Sequence, residues 1–175
     1  IPLVKKHRPD VKLVLIGFGP MENELRQLVY DLKLADSIIM PGSFSGKELA
    51  AYFATADIFI GPSIVDSSGD TEGQGIVFLE AMASGTAVIA SDVGGVRDVV
   101  RDGVNGLLIP QKDPQAIAER ILLLSNNTSL KNELIRNGRQ WAVKNYGWES
   151  IAQSFLQTFE EVVESTNNFS RSDSI

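Results

Sequence analysis

The feature that most constrains this chain is a repeated alternation of short apolar runs with amphipathic stretches, each pair closed by glycine or proline. Residues 11–16 form an apolar run ended by Gly17, and residues 21–34 carry Leu25, Leu28, Val29 and Leu32 on one helical face. A short strand follows at 37–40, stopped by Pro41-Gly42, then a helix at 47–54 and a third strand at 57–60, stopped by Gly61-Pro62. After a loop at 63–73 come an apolar helix at 75–83, a strand at 87–90, a Gly94-Gly95 turn, and a last strand at 107–109 behind Asn105-Gly106. Such an order predicts an α/β domain, a doubly wound parallel sheet with helices on both faces.

Beyond residue 113 only helices are predicted, at 114–124, 130–146 and 148–163, with Asp113-Pro114 placed as N-cap and first helical residue. The helical extension closes a single domain over 1–164, and the polar stretch 165–175 reads as a disordered tail. At 175 residues the chain is too short for two full domains. Its opening on Ile1 rather than Met reads as an excised domain.

Composition narrows the chemistry. With 16 Lys and Arg against 22 Asp and Glu the net charge is −6, which argues against nucleic acid or anionic lipid as a partner. Zero cysteines and a single histidine, His7, exclude thiolate and multi-His metal sites and disfavour a Ser-His-Asp triad. Lys5, Lys6, His7 and Arg8 read as the solvated last turn of a helix ended by Pro9. No apolar run approaches the ~20 residues of a membrane span.

Two places carry candidate site residues. Gly17-Phe18-Gly19-Pro20 joins a strand to a helix, where backbone amides can hold an anion; a plain tight turn explains the same glycines. It is not a dinucleotide fingerprint, since the third glycine would fall at Glu22. The stronger feature runs from Glu72 through Gly73, Gln74 and Gly75 into the helix Ile76-Val77-Phe78-Leu79-Glu80. An apolar helix is expected to be buried, and its one carboxylate, Glu80, then needs donors such as a vicinal diol or an Arg partner. Glu72 is expected on the loop ahead of the helix, so that the first helical amides lie between the two acids. One carboxylate for a sugar hydroxyl, amides for phosphates and a second carboxylate for a ribose make a site shaped like a nucleotide sugar. A paired-carboxylate hydrolase needs its two acids within about 5 to 9.5 Å across a groove, and no groove is indicated between these two.

These residues resemble a family. Glu-x₇-Glu over Glu72 and Glu80, followed by Ala81-Met82-Ala83-Ser84-Gly85, is similar to the donor-binding domain of retaining GT-B glycosyltransferases of family 4 (group 1), and the likeness spans nearly the whole chain. The acidic loop Asp66-Ser67-Ser68-Gly69-Asp70 resembles a subgroup that builds exopolysaccharides and colanic-acid-like polymers. The resemblance implies that Glu80 grips ribose hydroxyls and that Glu72 binds the donor sugar as the catalytic-site acid. It also implies that the Gly75, Ile76 and Val77 amides face diphosphate or sugar, with Gln74 beside them, and that Gly42, Ser43 and Phe44 border the base near Gly17 and Gly19.

Further implications concern what surrounds the site. No metal or other cofactor is required, the substrate being a nucleotide-diphospho-sugar. An acceptor-binding domain and the diphosphate-neutralising Arg and Lys would lie upstream of residue 1, and the parent would be cytoplasmic, at the membrane surface through that domain. UDP, GDP and ADP donors all stay open. The family has an aromatic where Gln74 stands and Glu where Asp98 stands. Trp141, Tyr146 and Trp148 read as core or interdomain packing. The last helix's stripe, Ile151, Ala152, Phe155, Leu156, Phe159, Val162 and Val163, is expected to lose cover in an isolated domain and to promote weak self-association. Rival readings are a non-catalytic nucleotide-binding module, a sugar-nucleotide epimerase and a sugar phosphorylase, the last lacking any evident pyridoxal lysine motif.

Overall fold

A computed structural model describes the backbone of residues 1–172 and the side chains of residues 1–163. Of the stretch expected as a disordered tail, 165–172 continue the last helix in their backbone, and 173–175 lie outside the described residues. A first short helix, α1 (Pro2–Lys5), leads into β1 (Leu13–Ile16), α2 (Glu22–Asp31), β2 (Ile38–Gly42), α3 (Gly46–Thr55) and β3 (Ile58–Gly61). Then come α4 (Ile76–Ala83), β4 (Ala87–Ser91), α5 (Val96–Val99) and β5 (Leu107–Ile109), followed by α6 (Pro114–Asn126), α7 (Thr128–Tyr146) and α8 (Trp148–Ser172).

Every strand pairing is parallel, as the alternation requires, yet the strands form two separately hydrogen-bonded sheets, β1-β2 and β3-β4-β5. The single continuous sheet expected from sequence is therefore divided, because no ladder joins β1 to β3 among the described residues. β2 also runs on through Pro41-Gly42 instead of stopping there. It pairs with β1 alone, so the proline that lacks an amide sits on an edge strand and removes no ladder bond from a second neighbour.

The core lies around β4, whose five residues Ala87–Ser91 are all buried. One layer packs Phe53, Phe78, Met82, Val88 and Val96 on one side of it, and a second packs Ile89, Ile109, Leu124 and Leu134 on the other. The Asn105-Gly106 turn feeds β5 through a buried, satisfied amide: Asn105 accepts from the Arg101 amide at 2.7 Å and donates to the Val99 carbonyl at 3.0 Å. Asp113 caps α6 as expected, accepting from the Ala116 amide at 2.9 Å. Asn127 does the same for α7 through the Leu130 amide at 3.0 Å, which starts that helix two residues earlier than its apolar pattern does.

Trp141 packs beside the core beneath the Arg101 guanidinium, 4.0 Å from the ring centroid, whereas Trp148 is exposed. Along α8 the residues Phe155, Leu156, Phe159, Val162 and Val163 are likewise exposed.

Candidate functional site

The candidate site begins where β3 ends. Gly61 closes that strand with no room for a side chain, since a Cβ there would stand 2.2 Å from the Phe78 ring. Gly75 meets the same ring from the other side, at 2.8 Å for an added Cβ, and its left-handed φ of 66° turns the loop into α4. The helix therefore starts at Ile76, with Gly75 as its cap and not its first residue. The fully buried Phe78 ring, edge-on to Phe59 at 5.7 Å, pins the helix start to the carboxyl end of β3. In open parallel α/β sheets that end is where ligand crevices lie.

Two expectations about α4 need correction. The helix is not buried all round: Phe78, Ala81 and Met82 face the core, while Ile76 and Glu80, one turn apart, are exposed. Glu80 is thus an open carboxylate, ~6 Å along the axis from the helix start, and it has no ion-pair or hydrogen-bond partner among the described residues. The alternative of a buried acid paired with an Arg does not occur. The second correction concerns Gly75, whose amide does not point to a ligand, because it donates to Oε1 of Glu72 at 3.1 Å. Ile76 and Val77, by contrast, offer amides that no acceptor meets among the described residues.

The half-buried Glu72 is placed on the loop ahead of the helix, as its spacing from Glu80 predicts, and Gln74 beside it is exposed. The other predicted residues form a second group at the carboxyl ends of β1 and β2. Register pairs Ile16 with Gly42, and the Gly17 amide donates to the Gly42 carbonyl at 2.8 Å, so this amide too is already engaged. Gly17 and Gly42 adopt φ of 122° and 98°, angles that make the tight-turn reading of these glycines sufficient for the backbone. Gly19 and Ser43 are exposed, and Phe44 is held against Tyr52 with ring centroids 4.8 Å apart. No hydrogen bond links this group to Glu72 or Glu80 among the described residues.

Sequence reasoning passed over two supports. Asp66 organises the acidic loop by accepting from the Ser68 amide and hydroxyl and from the Asp70 amide, and the Ser68 hydroxyl foremost holds its carboxyl below the usual range. Gln111 anchors the same loop by accepting from the Val65 amide at 2.9 Å. Only the Asp-Ser-Ser-Gly pattern of the turn is readable in advance. Among the described residues no group of three or more His, Cys, Asp or Glu could hold a metal, and no helix is long and apolar enough to cross a membrane.

Residues 1–141 match the family described as glycosyl transferases group 1. The chain belongs to that family. A glycosyl transferase group 1 relative, the GDP-mannose-dependent alpha-(1-6)-phosphatidylinositol monomannoside mannosyltransferase of Mycobacterium tuberculosis, is 32% identical over 153 residues, covering 87% of this chain and 40% of its own. The putative colanic acid biosynthesis glycosyltransferase WcaL of Salmonella typhimurium is 34% identical over 148 residues, covering 82% of this chain and 36% of its own. Among solved structures, the C-terminal domain of the group 1 protein LpcC from Francisella tularensis superposes with a TM-score of 0.70 at 30% identity, covering 83% of this chain and 75% of that one. This glycosyl transferase chain thus spans about two fifths of the length of the curated relatives it matches.

Proposed function

We propose that this chain binds the nucleotide-sugar donor in a retaining glycosyltransferase that builds a polysaccharide or glycolipid. The observation that carries the reading is the open, unpartnered Glu80, one turn below a helix start with free Ile76 and Val77 amides and with Glu72 on the loop above it. A carboxylate at Glu80 suits a ribose diol, the two free amides suit a diphosphate, and the remaining oxygen of Glu72 suits a sugar hydroxyl. In the reaction the anomeric carbon parts from the diphosphate oxygen and bonds to an acceptor oxygen, whose proton leaves as the nucleoside diphosphate departs. This reading assigns no side chain as a nucleophile, and stabilisation of the leaving charge falls to amides and to cations outside this chain. No step requires a metal.

The base borders Gly42, Ser43 and Phe44 in this reading, near Gly17 and Gly19. An acceptor-binding domain preceding this one completes the enzyme, consistent with the C-terminal position of the matched LpcC domain. A cytoplasmic enzyme meeting a membrane-borne acceptor through that partner domain fits the lipid acceptor in the mycobacterial relative's name. The exposed stripe of α8 makes weak self-association of the isolated domain part of the same proposal.

Calorimetry with UDP, GDP and ADP tests the central assignment. Glu80→Gln is expected to weaken nucleotide binding by ~1.5 to 3 kcal/mol without loss of folding, since the side chain is exposed. Unchanged affinity in the folded variant removes Glu80 from the site. In the complete enzyme, Glu72→Ala is expected to reduce sugar transfer far more than nucleotide affinity; equal losses would take the sugar away from Glu72.

A further inference from the structure

We infer that Gly95, with Gly94 before it, is a positioning residue that holds Glu72 in place. The proposal deepens the donor-binding reading and rests on it for the identity of what Glu72 touches. Gly95 has φ −73°, a backbone angle open to any residue, so its conformation does not call for glycine. Space does. A Cβ on Gly95 would stand 1.7 Å from the carbonyl oxygen of Gly73, and one on Gly94 would stand 2.4 Å from the carbonyl oxygen of Glu72. The turn after β4 and the loop before α4 therefore lie backbone on backbone.

The contact is also a bond, because the Gly95 amide donates to the Glu72 carbonyl at 3.2 Å. Glu72 is thus held at both ends: its main-chain oxygen by Gly95, and Oε1 by the Gly75 amide at 3.1 Å. Oε2 keeps no partner among the described residues and is the atom left for a ligand. The support is rigid, since Gly94-Gly95 follows the wholly buried β4 and leads into α5 through the buried Val96. A backbone clash cannot be relieved by a change of rotamer, so a methyl group at Gly95 must push away the Gly73-Gln74 peptide, one residue beyond Glu72. Displacements of about 1 Å at a reacting centre cost on the order of 100-fold in rate. The close approach is one-sided: a Cβ on Gly73 meets nothing within 4 Å, so of the two touching glycines only Gly95 has to be one.

The test compares Gly95→Ala with Gly73→Ala in the full chain, first without ligand. Amide exchange at Gly75, protected by Glu72, is expected to accelerate by about tenfold or more in Gly95→Ala while β4 amides stay protected, and to be unchanged in Gly73→Ala. Retained Gly75 protection in Gly95→Ala overturns the proposal. The second arm titrates UDP, UDP-glucose, GDP and GDP-mannose. Gly95→Ala is expected to bind the nucleotides like the parent chain and to lose whatever extra affinity the parent shows for a nucleotide sugar; keeping that increment also overturns the proposal. If the parent shows no increment for either sugar, the sugar reading of Glu72 fails while the exchange arm still decides the contact. Should Gly95→Ala not fold, the parent and Glu72→Ala suffice: both Gly75 and Gly95 amides must be protected in the parent, and only Gly75 must lose protection in Glu72→Ala. Rapid exchange at both amides in the parent overturns the proposal.

Discussion

The β3-β4-β5 sheet and the β1-β2 pair are built from equally apolar strands, yet only the larger sheet holds a wholly buried strand, β4. β4 has a neighbour on each edge and a packed layer on each face, and all five of its residues are buried. β1 and β2 have one neighbour each, their residues are half-buried or exposed, and α2 between them buries no residue at all. Apolar sequence is necessary for a core, and enclosure on four sides is what makes one. The difference teaches where the candidate site is firm, since Glu72, Gly75 and Glu80 stand on the enclosed half and Gly17, Gly19, Gly42 and Ser43 stand on the open one.

The sharpest way to break this contrast is to empty the enclosed half. Phe78→Ala removes the fully buried ring lodged between Gly61 and Gly75 and is expected to cost about 3 to 5 kcal/mol in urea unfolding. It should also free the start of α4. A loss below about 1 kcal/mol would mean that the α4 anchor lies elsewhere. Leu28→Ala supplies the other side of the comparison: its side chain on α2 is 52% exposed, so the expected cost in the same assay is within about 1 kcal/mol. A cost comparable to that of Phe78→Ala would show that the β1-β2 half is as tightly enclosed as the other.

The smallest effect is local and depends on pH. Hydrogen bonds, led by the Ser68 hydroxyl, lower the Asp66 carboxyl from its ordinary value of 3.8. A depressed carboxylate favours the folded loop above that value, and the contribution disappears as pH falls below it through the lowered one. Amide shifts at Ser68 and Asp70 should therefore follow the Asp66 titration, and Ser68→Ala should move its midpoint upward. An unmoved midpoint would leave the hydroxyl with no part in organising the loop.

Local signals carried most of the fold. Glycine and proline punctuation located the five strands of the described residues, and Asp113-Pro114 marked the start of α6 because a cap is a sequence-local device. What stayed hidden needed partners distant in the chain. The division into two sheets depends on which strand edges meet, which periodicity does not encode. The openness of Glu80 escaped the burial argument because α4's composition looks uniform, while Phe78, Ala81 and Met82 are buried, Val77 and Leu79 are half-buried, and Ile76 and Glu80 stay open. Gly94-Gly95 read as a turn; its contact with Glu72 and Gly73 joins segments about twenty residues apart and becomes visible only when both loops gather at one end of the sheet.

Parallel ladders with free outer rows of amides and carbonyls also have colloidal consequences. Pro41 interrupts the donor row on β2 and makes that strand a poor template for another chain. The unpaired side of β1 has no such guard: Leu13-Val14-Leu15-Ile16 carries neither charge nor proline within the strand. Edge-to-edge pairing through β1 is one aggregation route this arrangement leaves open, and a lysine at the half-open Val14 is expected to blunt it.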